Sequence, residues 1–306
     1  MTPRTPADLP LPPPGRRGWP WEPSPAHAAA LADPPRITIV TPSFNQVRFV
    51  EATLRSVLLQ DYPNLQYVVL DGGSTDGSVE VIRRYEPFLD HFASKRDRGQ
   101  SDALNQGFAL ADGEVLGWIN SDDRLMPGAL WAVAAAVRRQ PDAAAWVGPT
   151  RSVDARDRLI YVQRPRGLSL PDLADWGHAG HFAQPGCFFS TARARAAGPL
   201  DEGLHYAFDV DFWIRLARQG AFVACDGAPW AEETLHPAAK TQAFRGKSLA
   251  ELHLVQLRNG FQELALQRMG AALQEWSSRN TSSVTTRLRE RANLLLRPLL
   301  ERLRRP

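Results

Sequence analysis

Apolar and polar positions along the first half of the chain alternate between two periods. "ITIVT" (37–41), "LQYVVLD" (65–71) and "EVLGWIN" (114–120) are short apolar runs, the pattern of strands buried on both faces. Between the first two, Val50, Leu54, Val57 and Leu58 recur at i, i+4, i+7 and i+8, one face of a helix that "DYPN" ends. Strand, helix and strand at this length form a βαβ unit, with parallel strands and a right-handed crossover. The alternation continues. "GGSTDGSVEVIRRYEP" predicts a turn and a helix with Asp76 as cap, and "DHFASKRD" a strand. "SDALNQGFALAD" predicts a helix with Leu104, Gly107, Phe108 and Ala111 on one side, and Pro127 suits the first turn of a helix through Val137.

"AAAWVGPTRSVD" and "RLIYVQRP" predict strands of a different, antiparallel layer. Beyond residue 165 the pattern loosens: "WGHAGHFAQPGCFF" reads as a loop, and "DVDFWIRLARQG" as a helix stopped by Gly220. From Gly246 onward the chain reads as helical. The expected architecture is one α/β domain over residues 36–245 with a mostly parallel central sheet. A Pro-rich, disordered leader over 1–35 precedes it, and a basic helical extension over 246–306 follows.

Composition adds exclusions. With 43% apolar and 23% charged residues the chain is ordinary for a soluble globular protein. No run approaches the roughly 18 apolar residues of a membrane span. The start lacks the apolar core of a signal peptide. Two cysteines, Cys187 and Cys225, are too few for a disulfide framework, which together with these features points to a reducing cytoplasm. The net charge of +3 is concentrated at the end, where Val284–Pro306 holds seven Arg against two Glu. No nucleic-acid motif accompanies it, so nucleic acid is not an expected partner. Leu288, Leu295, Leu299 and Leu303 share a face of that stretch, which Pro298 would kink. It reads as a helix packed on its own domain or on a partner subunit, with peripheral contact to the inner face of the membrane as the alternative.

The chemistry lies at the strand ends. In open parallel sheets, ligands bind beyond the carboxyl ends of the strands, where strand order reverses. "TPSFN", "DGGSTDG" and "NSDD" each follow a predicted strand and are expected to converge on one crevice. In "DGGSTDG" the glycines let backbone approach a ligand, and Asp71 can accept from a base N–H or a ribose hydroxyl. Neither GK[ST] nor GxGxxG follows, which sets aside a P-loop and the dinucleotide fingerprint. The two carboxylates of "SDD" suit a divalent cation, since Mg²⁺ is usually held by one or two carboxylates plus substrate phosphates. His178, His181 and Cys187 match no standard zinc spacing.

In order, "ITIVTPSFNQ…FVEATLRSVLLQDYPNLQYVVLDGGSTDGS", "DRGQSDALNQGFALADGEVLGWINSDD", "FDVDFWIRLARQG" and "ETLHPAAKT" resemble the family 2 glycosyltransferases, over residues 37–241. The resemblance implies the GT-A fold, a Rossmann-like α/β sandwich, and inverting transfer from a nucleotide diphosphate sugar, most often a UDP-sugar. The acceptor would be a hydroxyl of a saccharide or lipid-linked saccharide, in polysaccharide or glycoconjugate synthesis. It implies that Thr41, Pro42 and Phe44 line the base and ribose, that Asp71 binds the base, and that Asp102 and Asp122 also lie on the donor side. Asp123 would hold Mg²⁺ or Mn²⁺ against the diphosphate, with His236 a further metal candidate and Lys240 facing phosphate. Asp209 matches the catalytic base and Arg215 its helix. Phe208 stands where the family usually has a second acid, so Asp211 is the alternative base. Trp176, His178 and Gln184 would lie toward the acceptor. Two other readings remain: a non-catalytic nucleotide-sugar or carbohydrate-binding module, and a nucleotidyltransferase.

Overall fold

The computed structural model describes residues 5–24, 31–179, 181–236 and 245–279. Its first apolar run forms β1 (Ile37–Ser43), buried along its whole length. Helix α1 (Val50–Leu58) leads from it to β2 (Leu65–Asp71), and α2 (Ser78–Tyr85) leads on to β3 (His91–Ser94). Helix α3 (Gln100–Leu110) then returns the chain to β4 (Val115–Trp118), which lies on the other side of β1. All three pairings, β1 with β2, β1 with β4 and β2 with β3, are parallel, as the short apolar runs predict. Strand order therefore reverses at β1, and its carboxyl end opens the crevice that this topology provides for a ligand. Gly107 lets α3 sit directly on β1: a Cβ there would stand 2.4 Å from a Val40 methyl.

The next elements are β5 (Arg124–Leu125), α4 (Ala129–Arg139), β6 (Ala145–Val147), β7 (Thr150–Asp154) and β8 (Leu159–Gln163). Three short helices and a strand follow: α5 (Leu170–Ala174), α6 (Trp176–Ala179), β9 (Cys187–Ser190) and α7 (Thr191–Ala197). After them come α8 (Phe208–Ala217), β10 (Phe222–Ala224), β11 (Ala231–Leu235), α9 (Arg245–Arg258) and α10 (Gln262–Arg279). The central sheet has seven strands in the order β10-β6-β9-β4-β1-β2-β3, and β9 runs antiparallel between β4 and β6. A second sheet of four strands has the order β5-β11-β7-β8.

Three readings of the sequence change. "CFFS" is a central strand, not part of a loop; its four residues are too few to show a period beside the Gly- and His-rich stretch before them. "AWV" belongs to the main sheet, while β7 and β8 pair antiparallel in the second layer as expected. The leader is packed over residues 5–24. The buried Arg55 guanidinium donates to the carbonyls of Pro10 (2.6 Å), Pro20 (3.0 Å) and Trp21 (3.1 Å), and Leu9 is buried in the core. A charge taken out of water needs such acceptors, and the turns around prolines leave carbonyls available for it.

The chain divides into two compact units, Met1–Val255 and Gln256–Pro306. That division falls within α9, and Glu251 of the same helix is bonded to the backbone of residues 205–207. The second unit contains the end of α9 and α10. The basic stretch from residue 284 and its leucine face lie outside the described residues, as does Lys240. Among the described residues no helix is long and apolar enough to cross a membrane.

Candidate active site

The three polar clusters converge because β1 sits between β2 and β4. At the end of β4, "NSDD" turns into the two-residue strand β5, which pairs with β11 through Ala231↔Leu125 and Glu232↔Arg124. This pairing carries the end of β11 to the acidic turn, and the two carboxylates part company there. Asp123 is buried at 6% exposure. Its Oδ1 accepts from the Thr234 amide (3.1 Å) and its Oδ2 from the Asn120 side chain (3.2 Å). Burial first, then Asp122 and Glu233, hold its carboxyl well above the usual carboxylate range. Asp122 faces the other way: its Oδ2 lies 3.0 Å from His236 Nε2. The His236 ring is stacked on Phe49, with centroids 5.2 Å apart. The structure thus brings His236 to Asp122, while Asp123, the expected metal ligand, is turned inward onto backbone and an amide.

Helix α1 and the turn that follows it grip this turn from behind. Thr53 donates to the Asp123 carbonyl (2.7 Å), Ser56 accepts from the Leu125 amide (3.0 Å), and Gln60 donates to the Met126 carbonyl (2.9 Å). Positions 53 and 56 fall on one helix face, and Gln60 lies two residues past the helix end. The leader adds Trp19, whose indole N–H donates to the Leu125 carbonyl at 2.8 Å.

At the end of β2, Asp71 is buried and serves its own loop. Its Oδ2 accepts from the amides of Gly73 (3.0 Å) and Ser74 (2.9 Å) and from Ser94 Oγ (2.7 Å); among the described residues its Oδ1 accepts only from Ser74 Oγ (2.5 Å). A carboxylate has about four lone-pair sites shared between two oxygens, so Oδ1 keeps room for a further donor. Thr41 is buried and bonded to the Tyr67 hydroxyl (3.1 Å), Pro42 is buried on β1, and Phe44 stands 61% exposed beyond it. Asp102 accepts from the Arg98 amide and guanidinium and from Gln106, beside an open cavity of about 630 Å³ that these residues line with Lys95, Arg96 and Asp97.

Asp209 lies in the first turn of α8, half-buried, with Oδ1 accepting from the Val210 amide at 2.8 Å. Helix α8 is fixed to the sheet by aromatic packing, Trp213 stacking on Trp118 at 5.0 Å and 9°. Phe208 is buried, and Asp211 is paired with Arg215 at 2.8 Å, which leaves Asp209 as the acid of this turn that stands nearer solvent.

The profile of glycosyl transferase family 2 matches residues 38–194. The chain belongs to this family. An uncharacterized glycosyltransferase of Mycobacterium tuberculosis is 31% identical over 192 residues, 61% of this chain and 71% of that protein. The chondroitin synthase of Escherichia coli is 26% identical over 205 residues, 64% of this chain and 28% of that one. Among solved structures, S. aureus TarS 1–349 in complex with UDP-GlcNAc has a TM-score of 0.58 at 17% identity, covering 73% of this chain and 65% of that one. The Pyrobaculum calidifontis mannosyltransferase PcManGT, in complex with GDP-Man and Mn²⁺, has a TM-score of 0.57 at 20% identity, covering 92% and 84%. This chain spans just under two thirds of the TarS fragment. The structural likeness concerns the fold, which is GT-A.

In this family 2 glycosyltransferase the three acceptor candidates separate. Gln184 joins the acidic turn: it accepts from Asn120 (3.2 Å) and donates to the Trp118 carbonyl (2.8 Å). Trp176 packs against Phe182 and His181, and the exposed His178 pairs with Asp175 at 3.2 Å. Sequence reasoning missed Phe49, which stacks on His236, Thr53 and Asn120, which bond to Asp123, and Glu251, which accepts from the amides of His205, Tyr206 and Ala207 just before α8. Asn120 stood inside a quoted motif, so its polarity at a strand end was a usable signal. For Glu251 no local signal existed, since its partners are 44 to 46 residues away. Among the described residues no group of three or more His, Cys, Asp or Glu is clustered as a metal site.

Proposed function

We propose that this glycosyltransferase inverts the anomeric carbon of a nucleoside diphosphate sugar, a UDP-sugar in the first instance, while transferring it to a hydroxyl of a saccharide or lipid-linked saccharide. The observation that carries the reading is the Asp122–His236 pair, two donor atoms 3.0 Å apart at the crevice of a GT-A sheet. One carboxylate and one imidazole suit Mn²⁺ or Mg²⁺ when a diphosphate brings the remaining oxygens. Asp122 and His236 would hold that ion, in place of the Asp123 that position in the motif suggested. When bound, the ion supplies Lewis acidity and a template for the diphosphate.

The chain's own residues do the rest. Phe44, exposed at the end of β1, offers a ring face to the base, and Oδ1 of Asp71 accepts a base N–H. Asp209 takes the proton from the acceptor hydroxyl. As that oxygen bonds to the anomeric carbon, the bond from this carbon to the diphosphate oxygen breaks, and its electron pair leaves with the nucleoside diphosphate. One displacement inverts the carbon and needs no covalent intermediate with the enzyme. Leaving-group protonation by a second carboxyl, the glycosidase arrangement, is not required for a diphosphate. A panel of nucleotide sugars incubated with purified protein and mixed acceptors tests this. The expected result is release of nucleoside diphosphate from one donor, abolished by chelator; release that ignores chelator, or none from any donor, would overturn it.

A further inference from the structure

Strand β8 ends the second sheet, with one edge unpaired among the described residues, and it exposes four consecutive large residues: Leu159 at 53%, Ile160 at 53%, Tyr161 at 46% and Val162 at 40%. No other run of this kind occurs among the described residues. Arginines bracket it on both sides, Arg156 and Arg158 before and Arg164 and Arg166 after, all exposed. Asp154 pairs with Arg158 and Asp157 with Arg124, so the acids of the hairpin are already engaged. An apolar strip rimmed by cations on a soluble body needs an occupant.

The edge is unsuited to another strand. Register shifts between Ser152 and Val153, so that Ile160 is an extra residue bulging β8 against β7, a device that blunts edges against pairing. In a two-fold antiparallel pairing of β8 with its copy about Tyr161, Arg158 would face Arg164 and Arg156 would face Arg166. Like charges placed opposite each other are destabilising. An anionic lipid surface meets both features at once: it takes apolar side chains at its interface and attracts the arginines around them.

We propose that the β7–β8 hairpin is a membrane-surface anchor that docks on anionic lipid. This inference is independent of the transfer reaction and of the basic stretch at the chain's end. Its geometry bears on the site, because the hairpin is tied to the rim of the crevice: the Arg48 guanidinium donates to the Ala155 carbonyl (3.1 Å), and Arg124 is two residues from Asp122. Docking the hairpin brings that rim to the bilayer.

The test is co-sedimentation of the full chain with vesicles of phosphatidylcholine alone or with 30% phosphatidylglycerol. Wild-type protein is expected to sediment with the anionic vesicles only, and to be released as added salt screens the arginines. Ile160→Asp with Val162→Asp should lower the partition by at least about tenfold, and Arg164→Glu by about fivefold or more. Because all three side chains are exposed, thermal melts should match wild type, and the end of the chain is intact in every variant. No sedimentation of wild type, or sedimentation unchanged by both variants, would overturn the proposal. So would an oligomer, seen by light scattering, that the Ile160→Asp/Val162→Asp protein loses while vesicle binding is absent.

Discussion

The loops at the ends of β2 and β4 are braced over different distances. In the first, Asp71 and Asp76 satisfy the amides and hydroxyls of Gly73, Ser74 and Ser78, two or three residues away, and the remaining bonds come from 23 to 32 residues away: Ser94 Oγ donates to Asp71, and the amides of Asn45, Gln46 and Val47 donate to Ser74, Ser78 and Asp76. The second is held from farther still. Its Asp123 is bonded to Thr234, 111 residues on, its Asp122 to His236, 114 residues on, and its backbone to α1, about 70 residues back. The first loop can offer one fixed acceptor to a ligand. The second separates two adjacent carboxylates, Asp123 turned onto the Thr234 amide and Asp122 onto His236. Mutual repulsion of neighbouring acids is relieved by pointing them to different partners.

Breaking the braced turn at its reactive side should have the largest effect. Asp122→Ala is expected to lower kcat/KM by at least about a hundredfold, the scale of a lost electrostatic stabiliser at a departing group. Asp209→Asn should cost about a hundredfold to ten-thousandfold in kcat with little change in donor KM, since only proton removal is lost. Steady-state rates of nucleoside diphosphate release check both. Next in size is Glu251→Ala, which leaves the amides of residues 205–207 without their acceptor. It should destabilise the fold by about 1–3 kcal/mol in urea unfolding and lower kcat more than it raises KM, because Asp209 follows that segment. Cutting the brace from α1 and the turn after it with Thr53→Val or Gln60→Leu should cost about 1–3 kcal/mol of stability each, as buried backbone groups lose partners. The smallest effect belongs to the loop after β2. Ser74→Ala removes one of several bonds to Asp71 and the acceptor of the exposed Asn45 amide, and should raise donor KM by less than about tenfold. If Ser74→Ala proved as damaging as Gln60→Leu, the contrast between the two loops would fail.

That contrast also explains what was legible in the sequence. The β1–α1–β2 alternation, the parallel pairing and the convergence of three polar clusters follow from periodicity and topology, and the structure has them. The local bonds of the Asp71 loop follow equally from Asp, Gly and Ser at short spacing. The division of labour between Asp122 and Asp123 does not, because it is decided by where β11 lies, and strand pairing across a hundred residues leaves no local pattern. Helix α1 was legible only by half. Its apolar face was plain, but the polar Thr53 and Ser56, with Gln60 just past the helix end, are buried against the turn they hold, and apolar periodicity does not mark buried polar positions. The leader's proline content hid its role for the same reason: Arg55, deep in α1, supplies the donors that fix it.

The assignment of the metal corner rests on Asp122 facing outward and Asp123 inward. It is tested most directly by titrating Mn²⁺ into the protein in the presence of UDP, followed by electron paramagnetic resonance, for wild type, Asp122→Asn and Asp123→Asn. The expected result is an affinity loss of about tenfold or more for Asp122→Asn, with Asp123→Asn close to wild type. Loss of Mn²⁺ binding in Asp123→Asn with binding intact in Asp122→Asn would contradict it.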